Sequence, residues 1–412
     1  MEKNHMIPVY AFFISAIFCV QVSSQNLTLQ KAGEYPLQNA YAVFVKDSLA
    51  YVACQTSGLF IINVSNPAQP VRAGSCSVPG SARDVAVAGD YAYVAAYDLD
   101  LQVVDVSRPD SPFVAGSYNY SGRFHDVWVM ENHAYAADNT QGVQVIDVTN
   151  PAQPLHVADI PTGGVVEDIH GQAGFLYCAQ YSSAWNDPGG LFIYDVSNPG
   201  VPAVAGSFQQ RIYSYDVWVS GSYAYVANWT NGMTIVDISN PAAPVDAGSR
   251  ASAGYSGSLG MEDSIVYVGT GSRSLDALNV ADPDSVFSYG TVNTPGYPIS
   301  IHAAGGYAYV VDDSRGLLIY HLAPPPAAEK PASNSWTGLV LEQNGPCLRF
   351  DAGPARSGRV AVFNLAGQKV FSRTVYGQGS FRWDAESRPG GMYVGRLAVG
   401  GRALTKKMIL MR

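Results

Sequence analysis

Three side chains with acid–base or anion-holding chemistry stand at even intervals of 42 residues: Arg83, His125 and Glu167. An imidazole with a carboxylate can move a proton, and a guanidinium beside them can hold an anion. A convergent trio would therefore suit a hydrolase or lyase. Each member, however, directly precedes an aspartate, at Asp84, Asp126 and Asp168, and the same aspartate returns as Asp216. Ser258 and Ser300 take that place further along. A carboxylate that recurs at a fixed interval reads as a structural acceptor of turn N–H groups rather than as a catalyst. The position before it does vary, as Tyr41, Arg83, His125, Glu167, Tyr215, Gly257 and Ile299. Recurring residues maintain a repeat, so these changing ones are the first candidates for function.

A second candidate set lies in loops that carry Gln55-Thr56, Tyr97-Asp98, Asn139-Thr140, Trp229-Thr230-Asn231 and Asp313-Ser314. A six-residue insertion, 182–187, falls at the same place and contributes Trp185, Asn186 and Asp187. Aromatic rings beside Asn, Asp and Arg on a concave rim suit a glycan, a peptide or a protein partner. The chain has no HExxH, no Gly-x-Ser-x-Gly, no phosphate loop and no metal-spaced Cys/His cluster, so no catalytic residue, cofactor or metal is assigned. His170 and His302 share a repeat position with Trp128 and Trp218, and are expected to pack between repeats. The expectation is a non-catalytic binding or adhesion protein. Two alternatives are an extracellular hydrolase or lyase working at the rim, and a purely structural surface protein. A convergent acid–base pair would favour the hydrolase or lyase, and self-association the structural protein.

The elements that position these residues are set by an internal repeat. A tyrosine recurs at 51, 93, 135, 177, 225, 267 and 309, at intervals of 42 residues except for one of 48 that contains the insertion. Asn63, Asp105, Asp147, Asp195, Asp237, Asn279 and His321 keep the same beat. In the second unit, 84–88, 91–95, 101–106 and 113–117 read as short strands, and Ser107-Arg108-Pro109-Asp110-Ser111-Pro112 as a turn cluster. Four strands in this period make a propeller blade, whose radial stacking buries both faces. The variable positions then fall in the loops between blades and ring the channel mouth. The seventh unit stops at Ala323-Pro324-Pro325-Pro326 without a fourth strand, while 29–35 matches the missing one. The expected fold is all-β, with a seven-bladed β-propeller over 27–322 closed by an N-terminal strand.

Bulk properties agree. Hydrophobic residues make up 47% and charged residues 14%, with 41 Gly and 26 Tyr, which suits short buried strands joined by tight turns. A net charge of −9 without a basic run argues against nucleic acid. Residues 1–24 read as a signal peptide: Lys3 and His5, an apolar run 7–22, then Val22-Ser23-Ser24. No later run is long enough for a membrane helix. Cys54, Cys76, Cys178 and Cys347 lack disulfide or metal spacing and are expected as buried thiols. Residues 323–335 form a Pro/Ala/Ser-rich linker, and 336–412 read as a small β-sandwich with hairpins around 366–368 and 400–401.

Two resemblances follow. Leu101-Gln102-Val103-Val104-Asp105-Val106-Ser107, with 143–149 and 233–239, resembles the LVIVD repeat, over all seven units; Leu275-Asp276-Ala277-Leu278-Asn279-Val280 departs furthest. That family implies a propeller of exported or surface proteins and no shared reaction. The C-terminal segment is similar to the sorting domain of type IX secretion. The stretches that carry this are 360–370, Pro389-Gly390-Gly391-Met392-Tyr393-Val394 and Lys406-Lys407-Met408-Ile409-Leu410; Asn344-Gly345-Pro346 stands where a Pro-Asn-Pro opening is common. This resemblance implies engagement of the secretion machinery and delivery to the medium or outer surface of a Bacteroidetes-like Gram-negative bacterium.

Overall fold

A computed structural model of the chain describes residues 27–120, 122–138, 142–181, 189–209, 213–229, 232–250 and 255–324. Towards the C-terminus it describes 340–344, 347–351, 357–364, 368–376, 378–382, 391–399 and 402–410. The expected signal segment, Asn139-Thr140, Thr230-Asn231, the insertion with Trp185, Asn186 and Asp187, and nearly all of the linker lie outside these residues. The chain divides into two compact units, Met1–Pro325 and Pro326–Arg412.

The first unit is a β-propeller built from four-stranded antiparallel sheets, seven of them among the described residues. The second sheet is typical, with Ala82–Ala88, Tyr91–Ala96, Asp100–Asp105 and Phe113–Tyr118 paired in chain order. A tight turn joins its first two strands at Gly89, with φ of +56°. The same turn position is left-handed at Asp47, Glu131, Ala173 and Asp263, at φ of 53–56°, where an L side chain is uncommon and the hairpin geometry demands it. At the outer turn, Asp105 Oδ1 accepts the N–H of Ser107 at 2.9 Å, and Asp147, Asp195 and Asp237 do the same two residues on. These are Asx turns, as the Asp-x-Ser/Thr spacing foretells.

Apolar side chains pack between sheets as well as along them. One cluster joins Leu59 and Ile61 of the first sheet to Val85 and Val94 of the second. Another joins Val43 and Val52 of the first sheet to Tyr309 and Ile319 of the last. Each fully buried Val, Ile or Leu stabilises by about 1.5–3 kcal/mol, so every boundary between sheets is itself a small core. The last sheet takes its outer strand from the N-terminus: Thr28–Pro36 pairs antiparallel with Gly316–Ala323, from Thr28 opposite Ala323 to Pro36 opposite Gly316.

A second contact between neighbouring sheets recurs around the unit. A Cβ added to Gly33, Gly74, Gly116 or Gly206 would collide with the carbonyl oxygen of Pro67, Pro109, Pro151 or Pro241 on the next sheet. The glycine of each Ala-Gly-Ser/Glu stretch thus receives the proline turn of its neighbour. The close approach, rather than a special backbone angle, is what requires glycine there.

In the second unit Val340–Asn344, Cys347–Asp351 and Gln378–Arg382 form one sheet. The other has the order Lys369–Tyr376, Ser357–Asn364, Gly391–Val399, Arg402–Leu410, with Val360, Val362 and Tyr393 buried. Both hairpins expected from the sequence are present in it. Cys54, Cys76 and Cys178 are buried free thiols.

Candidate functional site

The innermost strand of each sheet carries the candidate residues, and a register shift decides where they point. In the second sheet Ala82 lies opposite Ala96 while Asp84 lies opposite Ala95, so Arg83 is the extra residue of a β-bulge. The same shift skips His125, Glu167, Tyr215, Gly257 and Ile299. Side chains on a regular strand alternate between faces, and a bulge breaks that alternation. Consecutive residues, the bulged one and the aspartate after it, therefore both line one cavity. The expectation of inter-blade loops is corrected accordingly, because five of the variable residues sit within strands 82–88, 124–130, 165–172, 214–220 and 256–262. Ile299 sits likewise in Pro298–Ala304. Tyr41 directly precedes Ala42–Lys46 and donates its N–H to the Ala53 carbonyl at 2.8 Å.

The cavity has a volume of about 820 Å³, and Tyr41, Arg83, His125, Glu167, Tyr215, Gly257 and Ile299 all line it. One step down is a layer of Asp84, Asp126, Asp168, Asp216 and Ser300, and another step down Phe44, Trp128, His170, Trp218 and His302.

The aspartates do not cap turns, as the sequence suggested. Each reaches across a sheet boundary instead. Asp84 Oδ2 accepts the N–H of Val127 at 3.1 Å, Asp126 that of Ile169 at 2.8 Å, Asp168 that of Val217 at 2.9 Å and Asp216 that of Leu259 at 2.9 Å. Ser300 Oγ accepts from Val43 N–H at 3.2 Å and carries the pattern from the last sheet to the first. Burial pushes all four carboxyls above the ordinary range, Asp216 up to about 7, and the charges of Asp168 and Asp84 add to the rise at Asp126. Asp84 and Asp126 also share a side-chain hydrogen bond, which needs one proton between them.

In the layer below, His170 packs between Trp128 and Trp218, with ring centroids at 4.1 and 5.0 Å. His302 sits 4.6 Å from Phe44 and 5.7 Å from Trp218. Packing between sheets is thus the role both histidines play. Burial holds them neutral, with pKa values of about 3 for His170 and about 4 for His302.

The mouth is chemically lopsided. On one side the Arg83 guanidinium lies over the rings of Tyr41 and Tyr97, at 4.5 and 5.1 Å, and its buried Nε has no hydrogen-bond partner. On the other, Tyr181, Tyr215, Trp229 and Tyr255 follow one another, with Trp229 stacked on Tyr255 at 4.2 Å. Glu167 stands beside this aromatic wall, hydrogen-bonded to Tyr181, and burial raises its carboxyl. Among the described residues no ion pair joins Arg83 to Glu167. The structure thus brings Arg83, His125 and Glu167 to one cavity on three successive sheets. Tyr97 and Trp229 join them from the second candidate set; Gln55, Asp98 and Asp313 do not line the cavity. Tyr181 and Tyr255 were missed by the sequence reading; Tyr181 keeps the repeat position of Gln55, Tyr97 and Asn139, and that spacing could have found it, whereas Tyr255 stands two residues before Gly257, outside both candidate sets.

A family model described as the LVIVD repeat matches residues 39–78, 79–120, 121–162, 163–210, 213–251 and 295–320, which is more than half of the chain. The resemblance expected over all seven units is thus matched in six segments, and residues 252–294, the most divergent unit, lie outside them. No curated protein matches the chain. Among solved structures, the computationally designed Ika8 protein is 7% identical, with a TM-score of 0.53 over 68% of this chain and 83% of that one. BamB from Moraxella catarrhalis is 11% identical, with a TM-score of 0.50 over 75% of this chain and 100% of that one. Chaetomium thermophilum Raptor is 10% identical, with a TM-score of 0.54 over 73% of this chain and 29% of that one. At such identities the likeness is one of fold alone.

Proposed function

This chain belongs to the LVIVD repeat family, and from that premise we propose that it is an exported, non-catalytic binding propeller that holds part of an extracellular glycan, peptide or protein in its central cavity. The propeller is a single ring of seven blades closed by Thr28–Pro36. The observation that carries the binding function is convergence. The positions that vary from repeat to repeat are the ones that bulges turn towards a cavity of about 820 Å³, a volume suited to a small ligand or a sugar or side-chain group. Arg83, with an unpartnered buried Nε, offers donors to an acceptor on the ligand, and the aromatic wall offers apolar contact. A glycan and peptide array probed with the whole chain tests this. Binding should be lost in R83A and weakened in W185A, and binding indifferent to both places the site elsewhere.

The C-terminal unit is a β-sandwich that acts as a type IX sorting domain, and it delivers the propeller to the medium or outer surface of a Bacteroidetes-like bacterium. Support comes from the hairpins at 357–376 and 391–410, which carry the motif-like stretches. Removal of residues 391–412 should trap the protein in the periplasm, whereas normal export of the truncated chain would refute this delivery.

One observation favours a catalytic reading. Asp84 and Asp126 are hydrogen-bonded neighbours on the cavity wall with carboxyls raised by burial, a convergent acid–base pair of the kind a hydrolase needs. Each, however, also holds an N–H of the next sheet, which gives the carboxylates a structural role. Turnover of an array ligand by the native chain and its loss in D84N would favour a hydrolase.

A further inference from the structure

The floor of the cavity is rich in hydrogen-bond acceptors. Asp84, Asp126, Asp168 and Asp216 occupy four successive sheets at one level, and each engages the protein backbone through Oδ2. Beneath them His170 is only 7% exposed, lines the cavity, and has a buried Nδ1 without a hydrogen-bond partner. A neutral imidazole keeps one acceptor nitrogen, so the two layers together face the cavity with carboxylate oxygens and imidazole. Among the described residues no group of His, Cys, Asp or Glu has the arrangement to hold a metal ion. The matching partner is an organic donor.

We infer that the group which descends to this floor is an alkyl ammonium, with its N–H donors directed to Asp126, Asp168 and Asp216 and its methylene chain running back up towards the mouth past the rings of Tyr215 and Trp229. An ammonium has three donors and no acceptor, which is the complement of this floor. Aromatic faces favour a cation and its apolar stem. The inference rests on the cavity being a binding site and names the part of the ligand that enters first; acceptor groups of the same ligand remain at the mouth near Arg83.

Other ionisable groups face the same cavity. Arg83 and His125 belong to the inner strands of the second and third sheets, Glu167 and His170 to that of the fourth, and His302 to that of the seventh; Tyr215 stands on the fifth. Among the described residues Arg83 is the one permanent cation lining the cavity, against five carboxyls. An ammonium favours the charged form of the buried aspartates, whose carboxyls burial raises, Asp216 to about 7, so affinity should rise with pH through that region.

The test is calorimetric titration of the whole chain with spermidine and with N-acetyl-lysine methylamide, at pH 6, 7 and 8, with glucose as a neutral control. Either amine should bind, tighten as pH rises from 6 to 8, and weaken at least tenfold in D168N and D216N. Asparagine retains the oxygen that accepts the next sheet's N–H, so these variants keep the inter-sheet bond; H170L supplies a further one that leaves the acid layer intact. Tighter binding of spermidine assigns a free polyamine, and tighter binding of the lysine derivative assigns a peptide side chain. Amines that bind no better than glucose, or without pH dependence, overturn the ammonium assignment. If an array ligand still binds in an Arg83-dependent way, only that assignment falls; if nothing binds, the cavity reading falls with it.

Discussion

The carboxylate of Asp126 accepts the backbone N–H of Ile169 at 2.8 Å across the boundary between two neighbouring sheets. Asp84, Asp168 and Asp216 repeat that link, so the residue that looks most like a catalyst is also a clasp between sheets.

D126A should therefore lower stability by about 1–3 kcal/mol, the cost of leaving a buried N–H without an acceptor, while D126N should cost less. Chemical denaturation followed by tryptophan fluorescence measures both. Equal losses in the two variants would contradict the clasp.

The glycine–proline contact predicts an asymmetry among glycines. G116A places a methyl against the Pro151 carbonyl and should cost about 1–3 kcal/mol by overpacking. G163A meets nothing within 4 Å and should leave the melting temperature nearly unchanged.

Deletion of residues 27–36 strips the outer strand from the last sheet, uncovers the edge of Gly316–Ala323 and removes buried Leu29. A bare edge pairs with other chains. Thermal melting should drop sharply and light scattering should report aggregation; a variant that melts like the parent would exclude closure by this strand.

Stability should also depend on pH in two opposed ways. Asp216 has a folded-state pKa of about 7, raised chiefly by burial, so the folded chain binds this proton more tightly than the unfolded one. Its contribution is full below the unfolded value of about 3.9 and is lost as pH rises towards 7. The carboxyl of Asp147 is lowered by its bonds from Thr149, so its contribution is present above about 3.9 and lost as pH falls below that. Buried His170 and His302 act against Asp216 below about pH 6.5, because the unfolded chain binds their protons more tightly. The difference between variants therefore isolates the aspartate: D216N should lose less stability than the native chain as pH rises from about 5 to 8.

Much of this architecture was legible in the sequence, because the tyrosine and Asp-x-Ser/Thr positions keep a fixed beat and the last unit visibly lacks a strand. The bulges were not. A bulge adds one residue to the same strand of six repeats, from Arg83 to Ile299, so the period is unchanged and Arg83 or Glu167 looks like a loop residue. The partners of Asp84 and Gly116 were also hidden. Each lies on the neighbouring sheet, about one repeat away in the chain, and repeat spacing carries no record of what faces what. His170 was placed correctly because its counterparts, Trp128 and Trp218, share its strand position and its need for packing.

The central claim is that the bulged inner-strand positions form the mouth of a binding cavity. Gly257 is one of these positions, and a Cβ there meets nothing within 4 Å. Calorimetric titration of G257W with the tightest array ligand of the native chain tests the claim most directly. Affinity should fall at least tenfold with the melting temperature preserved, because the indole fills the mouth. Unchanged affinity in a folded G257W would contradict it.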